Sequence, residues 1–183
     1  MEDSFLHLVR KRRSVRSYRA DPVEKEKIEY ILEAARLAPS ACNRQPWRFI
    51  VVDDESMRGK ICRDGLGGIV SNEWARTAPV IIVLSVTYSP LVHTAGKVAK
   101  GIDYRLLDAG IAGEHICLAA AEQGLGTCWI GWFNARAIKR IVGMPVGWKV
   151  VALITLGYEK GEGNDAHEKK RLRPEDICFF NRF

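Results

Sequence analysis

The 183-residue chain is poor in the residues that most often build metal sites and disulfide frameworks. It has five cysteines and four histidines, and it contains neither a Cys-x-x-Cys pair nor a His-Glu-x-x-His sequence, so zinc motifs of those kinds are excluded. The odd number of cysteines favours free thiols in a reducing compartment over a disulfide framework. Gly-x-Ser-x-Gly and phosphate-loop sequences are also missing, which excludes the commonest patterns for a serine nucleophile and for nucleotide hydrolysis.

Long apolar runs are absent as well. No run is long enough to span a bilayer, and residues 1–4 lack the basic and apolar segments of a signal peptide. We therefore expect a cytoplasmic protein without a membrane segment. The length favours a single domain over residues 1–183 with a sizeable core, and a hydrophobic fraction of 47% with 27% charged residues is typical of a globular protein.

Positive charge is concentrated near both ends of a chain whose formal net charge is +6. Two cationic clusters repel each other unless an anion or water lies between them. A solvated basic face or a nucleic-acid surface explains such clusters. Ser14 inside the first cluster favours phosphate instead, because guanidinium groups and hydroxyls are usual phosphate ligands. The clusters consist of Arg10, Lys11, Arg12, Arg13, Arg16 and Arg19, and of Lys169, Lys170, Arg171 and Arg173.

A stiff polar connection joins a predicted helix to a predicted strand, and it reads P-S-A-C-N-R-Q-P-W over residues 39–47. Its two prolines fix φ and remove backbone donors. Ser40, Asn43 and Gln45 offer donors and acceptors that would suit a flat ligand with ring nitrogens and carbonyls along one edge. A capped helix end followed by an ordinary turn accounts for the same residues.

Periodicity and turn residues predict the remaining elements. The strongest are a helix that begins at an Asp21 N-cap, a fully buried strand over 79–86, and a long helix over 101–123 that ends at Gly124. His115, on that long helix, fits a hydrogen-bonded core histidine better than a catalytic one. The others are a helix from residue 4 to about 14, a strand over 47–52, a short helix over 53–63, a weakly patterned candidate lid over 88–100, a strand from 127, a helix capped by Asn134, a strand over 148–157, a Gly-rich loop over 158–166 and an apolar tail that ends at Phe183.

Three segments of the sequence resemble motifs of a known protein family. Residues 38–49 read A-P-S-A-C-N-R-Q-P-W-R-F, which resembles the A-P-S-x-x-N-x-Q-P-W-x-F pattern of the FMN-dependent nitroreductase family. Residues 12–18, R-R-S-V-R-S-Y, resemble that family's R-x-S-x-R-x-[FY] motif. Residues 127–134 resemble the segment in which the family's chain passes the flavin near N5. The motifs occur in the family's order and spacing, and the likeness is weak only between about residues 60 and 100.

The mixture of helices and central strands predicts an α+β fold with a sheet sandwiched by helices. The resemblance implies the nitroreductase-like fold, with a mostly antiparallel central sheet. It also implies an intertwined homodimer in which the long helix lies at the two-fold interface and the C-terminal extension wraps the partner.

The resemblance further implies FMN as cofactor and NADH or NADPH as reductant, in a ping-pong hydride mechanism with a small electron-poor acceptor such as a nitroaromatic or a quinone. Flavin N5 would carry the chemistry, so no side chain is predicted to be catalytic and no metal is expected. The implied phosphate-binding residues are Arg12, Arg13, Ser14, Arg16, Lys169 and Arg171. Pro39, Ser40 and Ala41 would line the ring from the other subunit, Asn43 would reach the pyrimidine edge, and Gln45 would support Asn43 or the ribityl chain. Trp129, Ile130 and Gly131 would lie beside N5.

Other functions stay open at this point. A flavin carrier without turnover would use the same residues. Short relatives include enzymes that fragment reduced flavin with oxygen and enzymes that dehalogenate aromatics. A basic nucleic-acid-binding domain would bind no flavin and would show steep salt dependence. Neither a nucleic acid nor a membrane is among the partners that we predict.

Overall fold

The computed structural model describes residues 4–67, 70–87, 101–161 and 169–183. Within these ranges the helices and strands do not alternate regularly. A 3₁₀ turn covers Ala41–Asn43, a π turn covers Ile61–Gly65, and a second 3₁₀ turn covers Glu73–Thr77. The helices are α1 (Ser4–Lys11), α2 (Lys25–Arg36), α3 (Glu55–Lys60), α4 (Tyr104–Glu122), α5 (Ala135–Ile141) and α6 (Pro174–Ile177), and the strands are β1 (Trp47–Val52), β2 (Val80–Val86), β3 (Gly126–Ile130) and β4 (Lys149–Gly157).

The four strands form one antiparallel sheet in the order β1-β2-β4-β3. Strand β2 is central and buried at every position, as its continuous run of β-branched residues predicts. The strands predicted over 47–52, 79–86 and 148–157 all form, two of them starting one residue later than expected.

Helices cover both faces of the sheet. Successive residues of β2 point to opposite faces, because side chains alternate along a strand. One core, beside α2 and α4, contains Ile31, Ile82, Leu84, Ile116 and Ile154, and the other, beside the π turn and α5, contains Ile61, Ile81, Val83, Ile138 and Leu153. The α+β prediction with a sandwiched antiparallel sheet is confirmed.

Helix α2 begins later than the sequence predicts. Asp21 was expected to be the N-cap, but the helix starts at Lys25 and its N-cap residue is Glu24, with no side-chain cap bond. Asp21 pairs with Arg19 at 2.7 Å instead. The carboxylate of Glu24 accepts a hydrogen bond of 2.6 Å from the Tyr158 hydroxyl. Both carboxylates that would have capped the helix therefore have other partners, and local sequence does not reveal such distant competition.

The long helix α4 packs one side on the sheet. The carboxylate of Asp103 accepts a hydrogen bond from the Arg105 N–H at its start, and Gly124, with φ of 75°, follows its end. A stripe of Leu107, Ile111, His115 and Leu118 lies on the outer side, where Leu107 is 55% exposed and the others are half-buried. His115 is hydrogen-bonded locally to the Ile111 carbonyl, so it is satisfied but lies at the edge of the core. The buried side consists of small or compact residues, Ala109, Ala112, Gly113, Ile116, Cys117, Ala119 and Ala120.

The C-terminal tail leaves large apolar side chains in solvent. Phe180 is 89% and Phe183 is 102% exposed, and the rings of Phe179 and Phe183 lie 4.6 Å apart. Exposed aromatic clusters of this kind are typical of an interaction surface. The candidate lid over 88–100 lies outside the described residues. None of the helices in the described ranges could cross a membrane.

Candidate functional site

An extended segment, residues 12–19, crosses the start of β3 and the end of β4, and is called here the N-terminal strip. Ser14 pairs with Thr127 in a parallel bridge, and the N–H of Val15 donates to the Thr127 carbonyl at 2.9 Å. Val15 is buried where Gly126 has no side chain, since a Cβ there would lie 2.6 Å from the valine. Because the side chains of an extended segment alternate, Ser14 and Arg16 lie on its exposed side.

Tyr18, the aromatic residue of the first motif, anchors the strip in the core. It is buried, and its hydroxyl donates to the Val15 carbonyl and is hydrogen-bonded with the Thr155 hydroxyl, at 2.7 Å in each case. Burial raises the pKa of Tyr18 well above its usual range, so the side chain is a neutral core group.

Lys169 returns from the C-terminal region to the same strip. Its ammonium group donates to the Arg10 carbonyl at 2.8 Å and to the Arg12 carbonyl, which lie at the end of α1. Burial lowers the pKa of Lys169, and the positive charges of Arg12 and Arg171 lower it further. The ammonium form is therefore disfavoured by lost hydration and by its cationic neighbours, and an anion placed among these groups would stabilise it.

Two carboxylates partly neutralise the strip. Arg12 lies 3.4 Å from Glu114 of α4, and Arg13 forms an ion pair with Glu159 just after β4. Arg16 is different, because its guanidinium lies over the Trp74 ring, 5.9 Å from the centroid, and pairs with no carboxylate among the described residues. Sequence analysis missed both glutamates, although Glu114 stood out as an acidic residue in a helix made mostly of small and apolar ones.

The second predicted group forms a separate structure, residues 39–46, called here the 39–46 loop. Three of its residues adopt left-handed backbone conformations without being glycine, Cys42 at φ 51°, Asn43 at 52° and Gln45 at 46°. Each such residue costs on the order of 1 kcal/mol or more, and clusters of this kind occur where a site demands a particular backbone shape. The Ser40 hydroxyl accepts from the Gln45 N–H at 2.9 Å, and the Gln45 amide donates to the Asn43 side-chain oxygen at 3.0 Å. The predicted polar side chains therefore converge on one turn, with exposed Pro39 at its start.

Two side chains from elsewhere hold this loop. The N–H of Ala41 donates to the Asp108 carboxylate of α4 at 3.0 Å, and Asp108 is only 3% exposed. Arg48 donates to the Gln45 carbonyl at 3.1 Å while its guanidinium lies over Trp148, 5.7 Å from the ring centroid. Sequence analysis did not single out either residue, and the one available signal was an acidic residue at position 108 in a largely apolar helix.

The third predicted group lies where β3 ends. The Trp129 indole packs against Gly113 of α4, because a Cβ at Gly113 would lie 2.2 Å from a ring carbon. That side chain is therefore half-buried and packs against the core. Ile130 is buried, whereas Gly131 is exposed and a Cβ there would meet open space within this chain. The role predicted for Gly131, close approach to a ligand, stays a prediction.

Helix α4 contacts all three groups at different points. Asp108 binds the 39–46 loop, Gly113 packs on Trp129, and Glu114 faces Arg12. Across the described ranges, no hydrogen bond or ion pair joins the 39–46 loop to the N-terminal strip or to the end of β3. The strip with β3 and Lys169 is therefore one group of predicted site residues and the loop is another, and each group is attached to α4.

Comparison with known sequences decides the family. The sequence model of the Nitroreductase family matches residues 9–69 and 68–158, which include all three motifs. The chain belongs to the nitroreductase family. The fold described above is that family's fold.

Relatives of this nitroreductase-family chain have several names. It is 32% identical to an Archaeoglobus fulgidus protein named NADH dehydrogenase/NAD(P)H nitroreductase, over 96% of this chain and 97% of that one. It is 30% identical to 5,6-dimethylbenzimidazole synthase of Rhodospirillum rubrum, over 82% of this chain and 80% of the relative. Among solved structures, the FMN-dependent nitroreductase of Clostridium difficile R20291 superposes with a TM-score of 0.76 at 31% identity, covering 97% of this chain and 99% of that one.

Proposed function

We propose that this chain is an FMN-dependent oxidoreductase that takes hydride from NADH or NADPH and reduces an electron-poor organic acceptor. The observation that carries the proposal is the convergence of Lys169, Arg12 and Arg171 at the N-terminal strip, where burial and then the positive charges of the two arginines lower the pKa of Lys169. Such a cluster is stable in the presence of a dianion, and FMN differs from other flavin forms in having a terminal phosphate.

The donor set fits that phosphate. Ser14 and Arg16 lie on the exposed side of the strip, and Lys169 is held there by three backbone carbonyls, so it would act on the phosphate through its charge. Guanidinium groups, an ammonium and a hydroxyl are suited to the oxygens of a phosphate monoester. Arg13 is the weakest member of the predicted set, because Glu159 already pairs with it.

The 39–46 loop fits the ring of the same cofactor. Ser40, Asn43 and Gln45 present a hydroxyl and two amides on one turn, and amides can both donate to and accept from the carbonyls and N3 of a pyrimidine edge. The backbone beside Ile130 and Gly131 would donate a hydrogen bond to N5. When bound, FMN supplies an atom, N5, that can accept and then release a hydride.

Because no hydrogen bond or ion pair of the described residues joins the loop to the strip, we propose a homodimer in which the loop of one subunit completes the site of the other. A two-fold arrangement gives two equivalent sites. The outer stripe of α4 and the exposed aromatic tail offer the apolar area that such an interface needs.

The deciding experiment is anaerobic rapid mixing of the FMN-loaded protein. We expect NADH or NADPH to bleach the visible flavin absorbance, and a nitroaromatic or a quinone to restore it. One site serves both substrates in turn, so each should inhibit the other competitively. Pure protein that is colourless and takes up no added FMN would rule out the proposal, and flavin that stays oxidised with both nicotinamides would indicate a carrier.

A second candidate rests on the similarity to 5,6-dimethylbenzimidazole synthase. The product in that name contains the same dimethyl-substituted benzene ring that the flavin contains, which favours a reaction that breaks down reduced flavin with oxygen. The same rapid-mixing absorbance measurement distinguishes a reductase from a flavin-fragmenting enzyme. Admitting oxygen after reduction should restore the original spectrum in a reductase, whereas permanent loss of flavin absorbance would favour fragmentation.

A further inference from the structure

The 39–46 loop has few external supports. Its Ser40–Gln45 and Gln45–Asn43 hydrogen bonds are internal, so they shape the turn without fixing its place on the protein. The bond from Arg48 to the Gln45 carbonyl and the 2.9 Å bond from the Thr87 N–H to the Pro46 carbonyl tie down the end nearer β1. The bond from the Ala41 N–H to Asp108 ties the other half to α4, which is the longest helix of the described residues.

Asp108 is an unusual side chain for its position. It is 3% exposed and lies on the side of α4 that packs against the rest of the chain, one turn from the buried Arg105 and beside Ala109 and Ala112. Burying a carboxylate is unfavourable unless hydrogen bonds compensate for the lost water. The Ala41 N–H provides such a bond, and a bond to a charged acceptor is stronger than one between neutral groups.

We infer that Asp108 is a positioning residue for the flavin ring, which it serves by holding Ala41 and thereby the Ser40 and Asn43 side chains in place. The inference rests on the proposed function and adds a residue of α4 that contacts no ligand. Left-handed conformations at Cys42 and Asn43, directly after Ala41, make the turn dependent on outside support, because these conformations are disfavoured in a free chain. Without the Asp108 bond the polar side chains would spread over several arrangements, and FMN would have to select one of them.

A positioning role for Asp108 predicts how its loss should affect the affinities for FMN and for riboflavin. The loop is assigned to the ring, and the strip is assigned to the phosphate. Loss of Asp108 should therefore weaken FMN and riboflavin by the same factor, whereas loss of a phosphate ligand should weaken FMN alone.

The test compares Asp108→Ala, Asp108→Asn and Glu122→Ala. Dissociation constants for FMN and riboflavin are measured by flavin fluorescence, and hydrogen exchange of the ligand-free proteins is followed at residues 41–45. We expect Asp108→Ala to weaken both ligands at least tenfold and to speed exchange in the loop but not in β2. Asp108→Asn keeps an acceptor oxygen and should stay within about threefold of the unchanged protein. Glu122, at the end of the same helix, accepts one hydrogen bond from Tyr30 at 2.7 Å and is the matched control. We expect Glu122→Ala to change neither the flavin affinities nor hydrogen exchange in the loop.

Three outcomes would overturn the role. One is unchanged flavin affinity and unchanged loop exchange in Asp108→Ala. Another is faster exchange throughout β2 with a loss of affinity no larger than the fall in folded fraction, which would show a merely structural residue. The third is weakening of FMN but not riboflavin. If the unchanged protein binds neither FMN nor riboflavin, the proposed function is wrong whatever the role of Asp108. In that case, unchanged hydrogen exchange at residues 41–45 in Asp108→Ala would show separately that Asp108 does not hold the loop in place.

Discussion

The arginines of the N-terminal strip differ in the partners that they already have. Arg12 and Arg13 face Glu114 and Glu159, while Arg16 is exposed and lies over an aromatic ring. Replacing Arg16 therefore removes a cation without leaving a carboxylate unpaired, which makes it the cleaner probe of a phosphate site.

We expect Arg16→Ala to weaken FMN binding by more than tenfold while riboflavin binding changes little. A charge-assisted contact contributes roughly 1.5–3 kcal/mol, and riboflavin lacks the phosphate that would make it. Fluorescence titration with both ligands measures the difference. Lys11→Ala is the control, because Lys11 is an exposed basic residue beside the motif but outside it. Equal weakening of the two ligands would place Arg16 away from the phosphate.

Cys117 predicts a pH dependence of stability. The thiol is 1% exposed, and burial raises its pKa from 9.0 to about 11. A group whose pKa is raised on folding stabilises the native state below its unfolded pKa, and this contribution disappears as the pH rises through the folded value. Two pKa units correspond to about 2–3 kcal/mol.

The measurement is denaturant unfolding of the ligand-free protein at pH 8 and pH 10.5, with Cys117→Ala beside the unchanged chain. The ionisation of other buried groups, including Tyr18, also lowers the free energy of unfolding as the pH rises, and it does so in both proteins. The difference between the two proteins therefore reports on the Cys117 thiol. We expect the alanine variant to lose less free energy of unfolding between the two pH values. Equal losses would mean that Cys117 ionises as readily in the folded chain as in the unfolded one.

At the level of elements, sequence patterns located the strands better than the helix starts. A fully buried strand such as β2 is specified by its own residues, since every position needs an apolar and preferably β-branched side chain. The start of α2 depends on whether Asp21 and Glu24 are free to cap, and Arg19 and Tyr158 occupy them. The left-handed turn at Cys42 could not be predicted for a related reason. Its residues tolerate many conformations, and Asp108, distant in sequence, helps to select one.

The contact between α4 and β3 gives a prediction at this scale. A Cβ at Gly113 would lie 2.2 Å and 2.4 Å from two carbons of the Trp129 ring. We expect Gly113→Ala to reduce the free energy of unfolding by about 1–3 kcal/mol, as overpacking of a core does. Denaturant unfolding measures the change.

Two further variants test the cause. Adding Trp129→Phe removes both clashing carbons and should recover part of the loss. Gly59→Ala, in α3, meets nothing within 4 Å and should leave stability unchanged or raise it by up to about 1 kcal/mol, because alanine favours helix. If Gly113→Ala behaves like Gly59→Ala, then α4 and β3 are not in close contact.

At the scale of the whole molecule, the exposed tail predicts coupling between assembly and cofactor binding. Ending the chain after Asp176 removes Phe179, Phe180 and Phe183, all more than half exposed in one subunit. We expect the shortened protein to shift toward monomer in sedimentation velocity at micromolar concentration and to bind FMN more weakly, because each site needs both subunits. Val146→Ser is the control, since Val146 is 101% exposed but lies outside the tail. A shortened chain that remains dimeric and holds FMN normally would show that the tail packs only locally.

The N-terminal strip is synthesised long before some of the residues that hold it in place. Glu159 follows its partner Arg13 by 146 residues, and Lys169 follows Arg12 by 157. At roughly 5–20 residues per second, the strip waits on the order of ten seconds for the segments that hold it. Residues 12–19 are made early, and two of their partners are made only near the end of synthesis, so we expect the strip to reach its final place late in folding. A nascent chain arrested before residue 159 should therefore capture no flavin, however complete its central sheet.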